Sequence, residues 1–174
     1  MHPIVPQIVG ILAVALFLAS YQLKRRRAII LLNATSRAMY VLQYLLLGAL
    51  EGAVLDLLGI ASAFFAGKKQ SPRFQKITKW MMISTTAAII VAGILLYQNV
   101  FSLFALGGIL LESIALWLTN ERYIRLISLF AAPFWLTYNL ASYALGSAIG
   151  NALTIASIII AMIKYQDFRR SKRA

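Results

Sequence analysis

Apolar runs of about one bilayer span recur seven times along the chain, separated by short polar or basic connections. They predict helices over residues 4–22, 28–47, 50–67, 79–98, 100–118, 123–142 and 145–163. The stretch 28–67 is twice as long as one span needs, so it must fold back on itself. Gly48 marks the turn, and a second tight turn is centred on Tyr143.

Composition makes the solvent of these helices lipid. Of 174 residues, 61% are apolar and 13% charged, against roughly 45–50% and 25% in a soluble domain. Apolar side chains facing lipid need no burial partner, so no dense soluble core is required. The net charge of +12 would suit nucleic acid in a soluble protein. Here the charge is split among short clusters between apolar runs, the pattern of cytoplasmic loops, and nucleic acid is not an expected partner. The clusters are Lys24, Arg25, Arg26 and Arg27; Lys68, Lys69, Arg73, Lys76 and Lys79; Arg122 and Arg125; and Lys164, Arg169, Arg170, Lys172 and Arg173. With seven spans they all fall on one side, leaving only Arg37 inside a helix. The expected orientation is N-terminus outside, C-terminus cytoplasmic. Met1 to Ser20 has no basic stretch ahead of its apolar run, so the first helix is expected to stay in the mature protein. Cysteine is absent, which excludes thiol chemistry and disulfides, and His2 has no second histidine with which to bind a metal. No cofactor is expected.

The sequence also matches itself at an offset of 95 residues. Ala49-Leu50 falls on Ala144-Leu145, Ala53 on Ala148, Ile60-Ala61-Ser62 on Ile155-Ala156-Ser157, Tyr40 on Trp135 and Asp56 on Asn151. The offset carries helices 1–3 onto helices 5–7, so the two units point the same way, as in one class of transporter repeat. The expected fold is all-α: a polytopic membrane protein of seven transmembrane helices, arranged as two parallel three-helix bundles joined by a linker helix. The first bundle takes residues 1–70, the linker segment 71–99, the second bundle 100–164, and a basic cytoplasmic tail 165–174.

Several stretches carry a resemblance: Gly10-Ile11-Leu12-Ala13, the cluster Lys24–Arg27, the hairpin from Asn33-x-x-Ser36 to Leu47-Gly48, Trp135 to Asn139, and Gly146 with Asn151. Through them nearly the whole chain resembles the bacterial inner-membrane YgjV family, which implies an inner-membrane location and no particular activity. The 3+1+3 plan is similar to that of the SWEET sugar transporters and the PnuC vitamin transporters. That likeness implies a substrate site between the bundles, faced by an Asn on the third helix of each. The corresponding positions here are Asp56 and Asn151, and Pro133 alone of the prolines lies inside a helix past the first, a departure that weakens sugar as the substrate.

A charge at a helix centre costs roughly 2.5–3.5 kcal/mol on insertion scales, so each needs a partner or a wet cavity. Arg37 lies roughly 14 Å into helix 2, at 1.5 Å per residue. Asp56 in helix 3 and Glu112 in helix 5 also lie at depth. Asn33, Arg37, Tyr40 and Tyr44 form one stripe of helix 2, and Ser147, Asn151 and Thr154 one of helix 7. Arg37 and Asp56 are expected to pair, which leaves Glu112 without an obvious partner. The small-residue faces around Gly52, Gly59, Gly146 and Gly150 suit close helix packing.

Two readings follow. The first is a small-solute transporter or facilitator with a midplane site built from Asn33, Arg37, Tyr40, Asp56, Glu112, Trp135, Tyr138, Asn139 and Asn151. In it Arg37 would hold an anionic group, and Asp56 or Glu112 would take up a proton. The expected partners are the bilayer, an unidentified small solute and, for an oligomer, a second copy of the chain. The second reading is a non-transporting scaffold, sensor or lipid-binding assembly protein, whose polar pair and glycine faces serve packing alone. An enzyme would need a nucleophile–base pair or a histidine-rich metal cluster, and the sequence offers neither.

Overall fold

The computed structural model describes residues 4–22, 26–69 and 71–164. His2, Lys24, Arg25 and the basic tail lie outside them. The described chain is all-α, with helices α1 (Ile4–Gln22), α2 (Arg26–Leu47), α3 (Leu50–Lys68), α4 (Thr78–Leu95), α5 (Val100–Trp117), α6 (Glu121–Ala141) and α7 (Leu145–Lys164). Among the described residues, α3, α4, α5, α7 and the span Arg122–Ala141 of α6 are each long and apolar enough to cross a membrane. Large apolar side chains such as Leu31, Ile94, Leu95, Phe130, Ile160 and Ile163 lie more than half exposed on the outside of the bundle. In water that surface would be strongly unfavourable; against lipid tails it costs nothing.

Helix α4 ends at Leu95, three residues short of the sequence expectation, because the next helix needs those residues to begin. Asn99 caps α5 through its side chain, which accepts from the Phe101 N–H at 2.9 Å. The Ser102 hydroxyl accepts in turn from the N–H groups of Gln98 and Asn99. This reciprocal cap satisfies amides that have no partner within a helix, and it forces an extended backbone at Asn99.

Six helices close a ring. In it α1 packs on α2, α2 on α3, α3 on α5, α5 on α6, α6 on α7, and α7 back on α1, while α4 sits outside against α3 and α5. The two tight turns share one geometry. Gly48 (φ 74°) and Tyr143 (φ 56°) both adopt the left-handed conformation. Gly48 N–H donates to Leu45 O, Ala49 to Tyr44 O and Ala53 to Ala49 O; likewise Tyr143 donates to Leu140 O, Ala144 to Asn139 O and Ala148 to Ala144 O. A left-handed residue after the last helical turn satisfies the final carbonyls and reverses the chain without a loop.

The ring is tightest where α1 meets α7. A Cβ on Gly146 would lie 2.7 Å from the Gln7 carbonyl oxygen, a backbone atom that cannot swing aside. The Gly146 N–H also donates to Gln7 Oε1 at 2.9 Å, and Gln7 Nε2 donates to Tyr143 O at 3.1 Å. Gly146→Ala is therefore expected to cost about 1–3 kcal/mol by overpacking. The measurement is the thermal unfolding midpoint in detergent, with Gly48→Ala as comparison, where nothing lies within 4 Å and only the positive φ opposes the methyl.

Candidate functional site

The stripe read on α2 faces the middle of the ring. Arg37, its charged member, is almost fully buried. The guanidinium spends its donors on three helices: Nε donates to Asn33 Oδ1 one turn earlier (3.2 Å), Nη1 to Asp56 Oδ1 on α3 (2.5 Å), and Nη2 to Glu112 Oε2 on α5. The side chains of Arg37 and Asp56 are each 4% exposed and that of Glu112 is 16% exposed. Glu112 thus has a partner after all. The expectation that Asp56 alone would take the arginine fails because a planar guanidinium has two opposite edges, and the ring brings a carboxylate to each. Gly59, one turn beyond Asp56, makes room for this: a Cβ there would lie 2.7 Å from Arg37 Nη1.

Beside the charges lies a polar and aromatic wall. The Tyr44 hydroxyl donates to Asn139 Oδ1 at 2.7 Å, joining α2 to α6 across the ring. Trp135 stacks on Tyr44 with ring centres 6.5 Å apart, and Tyr138 meets both rings edge-on. Between charges and rings remains a cavity of about 20 Å³, roughly the room of a single ordered water. Its lining comes from Phe17 on α1; Arg37, Tyr40 and Tyr44 on α2; Asp56 on α3; Glu112 on α5; Trp135 and Asn139 on α6; and Asn151 on α7. Every helix of the ring contributes, and α4 contributes nothing. Two buried donors at this site, Trp135 Nε1 and Asn151 Nδ2, have no hydrogen-bond partner among the described residues.

Of the nine residues singled out in the sequence, seven line the cavity: Arg37, Tyr40, Asp56, Glu112, Trp135, Asn139 and Asn151. Asn33 stands behind Arg37 and orients it. Tyr138 turns away from the cavity, its hydroxyl accepting from the Gly52 N–H at 3.0 Å. Phe17 and Tyr44 belong to the lining and were not among the nine. Tyr44 does share the α2 stripe, whereas Phe17 is one aliphatic-face aromatic in an apolar helix and gives no signal of its own.

Residues 4–169 match the family model described as bacterial inner membrane protein, Imp-YgjV. The chain belongs to that family, and with its apolar helices this makes it a multi-pass protein of the bacterial inner membrane. No curated protein and no solved structure matches it. Among the described residues there is no group of three or more His, Cys, Asp or Glu that could hold a metal ion.

Proposed function

We propose that the protein is a small-solute carrier or facilitator in which all seven helices cross the membrane, N-terminus outside and C-terminus cytoplasmic. In this reading α1–α3 and α5–α7 are parallel repeats, α4 links them, and the solute site is the central cavity.

The observation that carries the proposal is the make-up of the cavity wall under the 95-residue offset. Phe17 maps onto Glu112, Tyr40 onto Trp135, Tyr44 onto Asn139 and Asp56 onto Asn151, and all eight line the cavity. Arg37, which maps onto Ala132, is the ninth lining residue. The cavity then lies on the axis relating the two units, where a moving pair of bundles has its pivot. Hydrogen bonds support the same relation. Ser147 Oγ bonds Gln43 Oε1, and its offset mate is the bond between Gly52 N–H and the Tyr138 hydroxyl. The contact of Gln7 with Gly146 has its mate in Ser102 Oγ, which donates to Glu51 Oε2 at 2.7 Å. The matching bonds within the two turns follow the same offset. Trp135 Nε1 and Asn151 Nδ2, two donors without a partner among the described residues, give a solute something to bind, since a buried unsatisfied N–H costs free energy until it is met.

Uptake into proteoliposomes is the test, using sugars, vitamins, nucleosides and amino acids after a thermal-shift screen for ligands that raise the midpoint. Arg37→Ala, Glu112→Gln and Asn151→Ala are each expected to lower uptake of the identified solute at least tenfold. If all three variants transport like the parent, the site is wrong.

A second reading has one observation in its favour: the guanidinium is fully engaged and the cavity nearly closed, as in a structural tie between bundles. A scaffold of that kind would co-purify with a stoichiometric partner and respond to no solute.

A further inference from the structure

Helices α3 and α4 are each long and apolar enough to cross a membrane, so the residues joining them stand at its surface. This connection is the densest run of charge among the described residues: Lys68, Lys69, Arg73, Lys76 and Lys79. No acid lies near it in sequence, since Leu57 through Leu111 contains neither Asp nor Glu. Two of the cations are used to seat the segment. Lys69 donates to the Trp117 carbonyl at 2.7 Å, tying the connection to the end of α5, and the Lys68 ammonium lies over the rings of Phe64 and Phe74, 4.0 and 4.9 Å from their centres. Arg73, Lys76 and Lys79 are exposed, and none is held in an ion pair among the described residues.

The backbone sorts this connection into two rows. The Phe74 N–H donates to Ser71 O at 3.0 Å, Ile77 to Phe74 O at 3.1 Å and Met81 to Ile77 O at 2.9 Å, so tight turns lead directly into α4. At three to four residues per turn, residues three apart share a face. Arg73, Lys76 and Lys79 therefore form a cationic row, and Phe74, Ile77 and Trp80, each one residue later, form an apolar row beside it. Ile77 is 48% and Trp80 69% exposed. Below them the outer face of α4 continues with Val91 and Ile94, both more than half exposed. A cationic row at the membrane surface, flanked by an apolar track running into the hydrocarbon, has the shape of one lipid.

We infer that this edge of α4 is a binding site for an anionic phospholipid, its phosphate on Arg73, Lys76 and Lys79 and an acyl chain along Ile77, Trp80 and the helix face below. Basic side chains near a membrane surface attract anionic headgroups, and a zwitterionic headgroup brings a cation of its own that this acid-free segment does not answer. A free phosphate would meet the cations but leave Ile77 and Trp80 in water. The site is independent of the carrier reading, because it uses no residue of the central cavity.

Trp80 supplies the readout. The other two tryptophans, Trp117 and Trp135, are each 5% exposed, so quenching by lipid reports chiefly on Trp80. The full-length protein is placed in vesicles of equal parts phosphatidylglycerol and phosphatidylcholine, with the acyl chains of one lipid or the other brominated. Brominated phosphatidylglycerol is expected to quench more strongly, with a relative binding constant of at least about fivefold, the factor one well-placed cation supplies. The Trp80→Phe variant should lose most of the quenching. In Arg73→Gln/Lys76→Gln/Lys79→Gln the two lipids should quench alike, whereas Arg169→Gln/Arg170→Gln/Lys172→Gln, which removes equal charge from the tail, should keep the preference. Equal quenching by both lipids in the parent would overturn the site, and this comparison needs no variant to fold. An equal loss in the tail variant would replace the site by a diffuse attraction to the whole basic face. If inorganic phosphate at constant ionic strength abolishes the preference, the row takes a soluble anion and the lipid assignment fails.

Discussion

Arg37→Gln is expected to lower stability more than any other single substitution in the interior of the helix ring, by about 3–5 kcal/mol. The change removes the cation that bridges Asp56 and Glu112 and leaves two buried acids without the ion pairs that hold them. It also frees the Asn33 carbonyl and empties the space that Gly59 leaves for the guanidinium. For a chain of this size the loss corresponds to a fall in thermal midpoint on the order of 10 °C. The informative comparison is the triple variant Arg37→Gln/Asp56→Asn/Glu112→Gln, in which no buried charge is left unpaired. Breaking a buried ion pair is costly because of the orphan, whereas neutral groups of similar shape cost little. Most of the lost stability should therefore return in the triple variant. If Arg37→Gln melts with the parent, the trio is not an ion-paired tie and the central cavity loses its electrostatic basis.

How far the sequence could reach depended on whether a feature lies within one helix or between helices. Spans and turns are local: hydropathy marks the apolar runs, and Gly48 announces a left-handed residue by its lack of a side chain. Tyr143 does the same job without that signal, and its place is fixed instead by the length of the two spans around it. The stripe from Asn33 to Tyr44 is also local, since steps of four, three and four put it on one face. Partners across the ring are not local. Nothing in the spacing of α5 says that Glu112 meets the far edge of the guanidinium, because that depends on α3 packing against α5. Trp135 and Asn139 stand one turn apart on the cavity side of α6, while Tyr138, one residue short of Asn139, is rotated far enough to meet Gly52 instead. The 95-residue offset carries one further signal: it pairs Phe17 with Glu112 and Tyr44 with Asn139, so the two lining residues left out of the nine correspond to two that were included.

A disulfide between α3 and α5 is expected to form in Ser62→Cys/Ser113→Cys and to hold the two helices together. The two hydroxyls hydrogen-bond at 2.7 Å, and both side chains are almost fully buried. Side chains this short, in direct contact, bring the two backbones close enough for a disulfide to be sought between them. The chain has no cysteine, so a shift in non-reducing gel mobility or the loss of both thiols reports this bond alone. The Trp117 Nε1–H donates to Ser62 Oγ at 3.2 Å, and sulfur is a weaker acceptor, so the reduced double variant is the proper reference. Closing the chain between residues 62 and 113 should stabilise the oxidised form by about 2–4 kcal/mol. Failure to oxidise would contradict the packing of α3 on α5. In the carrier reading the functional consequence is larger than the thermodynamic one, because there this contact joins the first three-helix unit to the second. A carrier that works by moving those units must stop when they are bonded. Solute uptake is expected to fall to background on oxidation and to return on reduction with a thiol. Full activity in the oxidised protein would mean that α3 and α5 travel together, and that the moving boundary lies elsewhere in the ring.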